Sequence, residues 1–92
     1  MMFAGIPPVL YFFYQDSCQH CAEAMPIVER FGFAHGRSVS VIKLNVGIKP
    51  DWEKAGYSPK ATPAYALVQN GELLAKHEGK LTEAQLKRFV ER

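Results

Sequence analysis

Cysteine is scarce in this 92-residue sequence, with two in all. That is too few for a disulfide scaffold, which needs several pairs, and too few for a four-thiolate zinc site. Long apolar runs are missing too. The apolar stretch Val9 to Tyr14 is far short of the roughly 20 residues that a membrane helix needs. There is no excess of one charge: eleven Lys and Arg stand against nine Asp and Glu, for a net charge of +2. The basic residues do not cluster, so neither nucleic acid nor a membrane is an expected partner. The first eight residues hold no Lys or Arg, so the charged start of a signal peptide is missing. The expected location is cytoplasmic, where a cysteine pair is reactive or metal-binding more often than structural. Internal repeats and low-complexity segments are absent as well.

The sequence does contain the material for a core. It is 48% hydrophobic and 12% aromatic, too apolar for a disordered chain. A chain of this size buries roughly 60–65% of its unfolded surface, which fits a single domain over residues 1–92.

The elements follow from local signals. Pro7-Pro8 cannot continue a helix. Val9 to Tyr14 reads as a strand buried on both faces. Asp16 and Ser17 are helix-capping types, so a helix should start near Cys18. Ala22, Met25, Val28 and Phe31 give it an apolar stripe, Pro26 should kink it, and Gly32 and Gly36 should end it. Val39 to Val46 is the second strand, implying a parallel pair with a right-handed crossover. Pro50 opens a short helix that Gly56 closes, with Trp52 and Tyr57 as packing anchors. Ala64 to Gln69 and Glu72 to Glu78 flank Asn70-Gly71, a strong hairpin signal. Thr82 and Gln85 form a capping box, Leu81 and Leu86 a hydrophobic staple, and Leu86, Phe89 and Val90 the buried face of a last helix. The order β-α-β-α-β-β-α predicts an α/β fold with a mixed four-stranded sheet flanked by helices. His35 and His77 have no sequence neighbours suited to chemistry and are expected at the surface.

The chemistry is expected at Cys18-Gln19-His20-Cys21, where the first strand hands over to the first helix. Thiols three apart in a first helical turn share one face and can bridge. Cys18 would sit at the positive end of the helix dipole, where unpaired N–H groups stabilise a thiolate. A protonated His20 would add positive charge. A thiolate is the nucleophile of disulfide exchange, so Cys18 is the expected attacking group and Cys21 the one that resolves a mixed disulfide. Two other readings compete: a chance pair of buried cysteines, and half of a metal site. Zinc would need two more ligands, with only His20, His35 and His77 at hand, and a cluster shared between two chains is the remaining metal option.

From Val9 to Arg92 the sequence resembles the thioredoxin superfamily. The resemblance is carried by the apolar first strand, the CxxC motif followed by Met25-Pro26-Ile27, and Val41-Ile42-Lys43-Leu44-Asn45-Val46. Ala61-Thr62-Pro63, Asn70-Gly71-Glu72 and the segment Gly79 to Phe89 complete it. It implies the thioredoxin-like fold and a cis Thr62–Pro63 bond beside the cysteines. Thr62, Pro63 and Gln19 would then contact substrate, with the backbone before the proline offering strand-like pairing. The sequence also departs from the family. Residues 1–8 are too few for the opening strand and helix of thioredoxins, so the expected size is that of a glutaredoxin. Ser17 replaces the tryptophan before the first cysteine. Phe12 replaces the buried aspartate that assists proton transfer at the second cysteine, leaving Lys43 without that partner. Gln19-His20 replaces Gly-Pro. A histidine before the second cysteine is similar to disulfide isomerases and periplasmic oxidants. It implies a potential above the roughly −270 mV of thioredoxin, within a span reaching about −120 mV.

The expected function is therefore a thiol–disulfide oxidoreductase, a cofactor-free monomer. Its partners would be protein disulfides or dithiols, with a reductase or glutathione as electron donor. The alternatives are a glutaredoxin-like enzyme, with Lys60 and Lys49 as candidates to hold glutathione carboxylates, and a non-catalytic or metal-carrying thioredoxin-fold module.

Overall fold

The computed structural model describes residues 6–48 and 55–91. Four strands and two helices are assigned there: β1 (Val9–Tyr14), α1 (Gln19–Ala34), β2 (Ser40–Asn45), β3 (Ala64–Gln69), β4 (Glu72–Glu78) and α2 (Glu83–Val90). The strands form one sheet in the order β2-β1-β3-β4. β1 runs parallel to β2 and antiparallel to β3, and β4 is antiparallel to β3. The sheet is mixed, as the order of elements predicts. Lys49 and all but the end of the expected helix from Pro50, Trp52 included, lie outside the described residues; Gly56, expected to close it, takes φ of 68° in a turn. Among those described, no helix is long and apolar enough to cross a membrane.

β1 is apolar throughout because it is central and covered on both faces. Alternation sends Leu10 and Phe12 to one side, where they pack with Ala24, Val28 and Phe31 of α1, Tyr65 and Leu67 of β3, and Leu86 of α2. Phe13 goes to the other side, with Leu44, Ala55, Ala64 and Ala66, and with Tyr57 at the margin. Leu10, Phe12 and Phe13 are wholly buried, which contributes about 1.5–3 kcal/mol for each. α1 and α2 thus share one face of the sheet.

The C-terminal half follows its local signals. Asn70 (φ 54°) and Gly71 (φ 78°) both take the left-handed backbone that a two-residue hairpin turn demands. The Thr82 hydroxyl accepts from the Gln85 amide at 3.2 Å, and the Gln85 side chain accepts from the Thr82 amide at 2.9 Å. Leu81 and Leu86 join the same core cluster, as the staple requires.

α1 differs from its sequence expectation in two ways. Its buried stripe is Cys21, Ala24, Val28 and Phe31, with Met25 partly buried against the same core, while Ala22 faces solvent. The helix also continues through Gly32 to Ala34, and the His35 amide closes it on the Phe31 carbonyl. Gly32 is a contact point. A Cβ there would lie 3.1 Å from Val41 Cγ2 and 3.2 Å from Val41 Cβ, so the glycine lets α1 approach β2 closely. The second strand is shorter than Val39–Val46 by one residue at each end: Val39 lies between the preceding turn and the strand, and is buried there, and Val46 opens the next turn. His35 and His77 are half-buried rather than surface residues. His35 stacks on Phe31 with ring centroids 4.4 Å apart, and His77 lies against Tyr65 and Phe89.

Candidate functional site

β1 ends at Tyr14, and the chain turns into α1 through Ser17, a non-glycine residue with φ of 61°. Such a backbone is uncommon outside glycine. It delivers Cys18 as the N-cap of α1, so the expected capping residues Asp16 and Ser17 lie just outside the helix. The Cys18 sulfur itself accepts from the Cys21 amide at 3.1 Å. No acidic residue stands in the first turn, so nothing there offsets the positive end of the helix dipole beside Cys18.

Cys18 and Cys21 are joined by a disulfide, with their Cα atoms 5.1 Å apart. The two sulfurs have different surroundings: Cys21 is buried, while Cys18 is half-exposed. An incoming group therefore reaches Cys18 first.

Thr62, 44 positions along the chain from Cys18, meets this pair beside Pro63. The Thr62–Pro63 peptide bond is cis. The Thr62 hydroxyl donates toward Cys18 Sγ at 3.7 Å, and the Thr62 carbonyl oxygen lies 3.9 Å from the same sulfur. Pro63 is buried just before β3, and its carbonyl accepts from the Gly79 amide at 2.8 Å. Beside Thr62 opens a cleft of about 300 Å³, lined by Gln15, Val46, Ser58, Pro59, Lys60 and Ala61.

Gln19 and His20 are exposed on the first turn and face Glu23. His20 Nδ1 is 3.2 Å from Glu23 Oε1, and Gln19 Nε2 is 3.5 Å from Oε2. Lys80 Nζ, arriving from the segment before α2, is 2.9 Å from Glu23 Oε1. The Lys80 bond, and after it the His20 bond, hold the Glu23 carboxyl below its ordinary pKa. The imidazole therefore has a carboxylate partner that the CxxC motif alone does not disclose. The His20 spacing to Glu23 was readable as an i, i+3 pair, but the approach of Lys80 was not.

Phe12 and Lys43 are register partners in the β1–β2 ladder. Phe12 is wholly buried, and the Lys43 ammonium pairs with Glu29 of α1 at 2.7 Å. Among the described residues, no group of three His, Cys, Asp or Glu side chains is placed to hold a metal ion.

Sequence reasoning also missed Glu78, at the end of β4. Its Oε2 accepts from the Tyr57 hydroxyl and from the Lys60 amide, both at 2.8 Å. These bonds, the Lys60 amide first, hold its carboxyl below the ordinary value. Desolvation, and then the Glu78 bond, push the Tyr57 phenol up to about 12.

Residues 9–88 match the family model described as TraF, the F plasmid transfer operon protein. Similar sequences include a thioredoxin of Buchnera aphidicola subsp. Baizongia pistaciae, 32% identical over 82 residues that span 89% of this chain and 74% of the relative. A thioredoxin-like protein of Synechocystis is 30% identical over 79 residues, 86% of this chain and 72% of its own. Among solved structures, thioredoxin-2, described as a component of malaria parasite protein secretion machinery, superposes with a TM-score of 0.81 at 16% identity, covering 92% of this chain and 82% of that one. A second structure, described as a malarial protein, gives a TM-score of 0.80 at 16% identity over 94% and 96% of the two chains. At that identity the structural likenesses speak to the thioredoxin-like fold alone.

Proposed function

The chain belongs to the thioredoxin superfamily and, over residues 9–88, to the TraF family, and from that premise we propose that it exchanges disulfides with protein substrates through Cys18 and Cys21. A thioredoxin-type redox role is what the relatives and the adjacent cysteine pair support. The observation that carries the finer reading is the asymmetry of the pair: Cys18 is half-exposed at a helix N-terminus, against Thr62, with Cys21 buried behind it.

In the reducing direction, the Cys18 thiolate attacks one sulfur of a substrate disulfide. A mixed disulfide forms, and the substrate's other sulfur leaves as a thiolate that takes a proton from water. Cys21 loses its proton and attacks Cys18 Sγ. The Cys18–Cys21 disulfide forms, the second substrate thiol departs, and two electrons have passed to the substrate. The reverse sequence oxidises a substrate dithiol. Turnover as a reductase needs an external dithiol or thiol donor, a flavoprotein reductase or glutathione, and no cofactor of the protein's own.

The helix dipole and the Thr62 hydroxyl favour the Cys18 thiolate. Thr62 and Pro63 present backbone to an extended substrate segment, while Gln19 borders the approach to the sulfur. His20 supplies positive charge when protonated, moderated by Glu23. We read residues 1–92 as one domain acting as a monomer in the cytoplasm.

The test is equilibration of the pair in glutathione buffers, followed by insulin reduction with dithiothreitol as donor. A two-electron exchange at a potential above thioredoxin's, with catalysed insulin reduction, is the expected result. A pair that shows no exchange in either assay rejects the reading. Faster turnover of a glutathione mixed disulfide than of insulin would favour the glutaredoxin-like alternative, for which Lys60 in the cleft is the candidate carboxylate partner.

A further inference from the structure

Thr62 can serve the cysteine pair only if its loop is held in place, and the loop has little core of its own. Ser58 and Lys60 are exposed, and Tyr57 and Pro59 are half-buried. Apart from the Thr62 contacts to Cys18, the described hydrogen bonds that hold the segment come from the edge strand β4 and the residue after it. The Glu78 carboxylate takes the Tyr57 hydroxyl and the Lys60 amide on one oxygen, and the Gly79 amide takes the Pro63 carbonyl. One side-chain oxygen therefore fastens two points of the loop, on the N-terminal side of Thr62. Tyr57 is held further by an edge-on contact with Phe13, ring centroids 5.6 Å apart, and by Lys76 Nζ, 5.4 Å from its ring centroid.

We propose that Glu78 is a positioning residue, which fixes the 57–62 loop so that Thr62 faces Cys18. This rests on the disulfide-exchange reading of the site. Glu78 does not touch either sulfur and acts through Lys60 and Tyr57. A hydrogen bond to a charged acceptor is stronger than a neutral one, so the carboxylate suits a fastening at the surface, where water competes. The charged groups around it are the Lys60 and Lys76 ammoniums, and the Tyr57 phenol stays neutral at neutral pH. The charge on Glu78 therefore persists through the neutral range in which exchange is assayed. The cleft beside Thr62 is walled by this same loop, so its width depends on the same two bonds.

The experiment compares wild type with Glu78→Ala, Glu78→Gln and Tyr57→Phe in three measurements. The first is ultraviolet titration of the tyrosines, which reports whether the tether is broken: in Glu78→Ala one tyrosine moves from about 12 toward 10. The second is the pH dependence of Cys18 alkylation in the reduced protein, free of any substrate. The midpoint should rise in Glu78→Ala as the Thr62 hydroxyl leaves the sulfur, and rise less in Glu78→Gln, whose amide oxygen still accepts. The third is insulin reduction, where KM should rise several-fold in Glu78→Ala with kcat changed by less than twofold. Tyr57→Phe loses one of the two bonds and keeps the one from Lys60, so it should fall between wild type and Glu78→Ala in the last two. A Glu78→Ala protein whose tyrosine shifts while its alkylation profile and KM match wild type overturns the proposal. If wild type reduces no insulin, the exchange reading fails on its own, and the alkylation profile still decides the positioning role. Should Glu78→Ala not fold, the smaller rises in Glu78→Gln decide, and a Glu78→Gln protein that matches wild type in both alkylation midpoint and KM overturns the proposal.

Discussion

Phe12 stands beside Lys43 in the parallel β1–β2 ladder, yet the Lys43 ammonium turns to Glu29 of α1, 2.7 Å away. The neighbouring position on β1 offers a ring and no charge. Lys43 is thereby a surface ion-pair member, joining the edge strand to the helix that begins at the redox pair. Exposed pairs of this kind contribute about 0–1 kcal/mol. We expect Lys43→Met to lower the urea midpoint slightly and to leave the Cys18–Cys21 potential unchanged. A potential shifted beyond 30 mV, about 1.4 kcal/mol for a two-electron couple, would show that Lys43 acts on the thiols.

Phe12 itself is a core residue. Its ring lies 5.3 Å from that of Tyr65 and 6.3 Å from that of Tyr14, centroid to centroid. Phe12→Ala should cost about 3–5 kcal/mol in chemical denaturation, the range for emptying a buried aromatic site. The wholly buried position predicts a loss well above that of any exposed-residue variant in the same series.

The two cysteines should behave differently when replaced singly. Cys18→Ser removes the half-exposed sulfur and should abolish exchange. Cys21→Ser should leave Cys18 able to attack while stopping resolution. Mixed disulfides with substrate would then accumulate and appear as a dithiothreitol-sensitive adduct by mass spectrometry. Accumulation in Cys18→Ser instead would reverse the assigned order of attack.

Gly32→Ala weighs two opposing effects. Alanine is favoured over glycine within a helix by about 0.5–1 kcal/mol. The added methyl would press on Val41 at 3.1–3.2 Å, and overpacking of that kind costs about 1–3 kcal/mol. The net expectation is a destabilised protein, with part of the loss recovered in Gly32→Ala/Val41→Ala. A stabilised single variant would mean that α1 moves freely away from β2.

Stability should fall at both ends of the pH range, for different groups. The Glu23 and Glu78 carboxyls are held below their ordinary value of 4.5 in the folded protein. Their contribution is complete above the unfolded value and is lost as pH falls through the depressed folded one. Tyr57 behaves in the opposite sense. Its folded value is raised from 10.0 to about 12, so the unfolded chain releases that proton first. Its contribution is complete below pH 10 and is lost between pH 10 and about 12. Urea midpoints across pH, compared between wild type and Tyr57→Phe, test the alkaline part. The variant should show the shallower decline.

What the sequence disclosed and what it withheld divide by distance along the chain. β3, β4 and the turn between them match their expected bounds because Asn70-Gly71 needs no distant partner to take its backbone form. The Thr82 cap is equally local. On α1, Met25, Val28 and Phe31 pack toward the core as expected and Ala22 does not, because a small apolar side chain carries little signal of which face is covered. Packing in the cluster with Leu10, Phe12, Tyr65 and Leu67 selects Ala24. Gly32 looked like a stop signal, and its role is contact with Val41 on another element. Cys18, Cys21 and their place after β1 were legible from motif and order together. The fastening of Thr62 was not: Glu78 lies 18 and 21 positions from its two donors, and no periodicity links them. Lys80 reaches Glu23 across 57 positions in the same way.

The sulfur that caps α1 is also the atom proposed to react. When Cys18 Sγ changes partner, from Cys21 to a substrate sulfur or to a bare thiolate, the charge and placement of the acceptor facing the Cys21 amide change with it. The amide proton of Cys21 is therefore a built-in reporter, whose resonance should separate oxidised, reduced and substrate-linked molecules in one nitrogen-correlated spectrum, with no label added at the site.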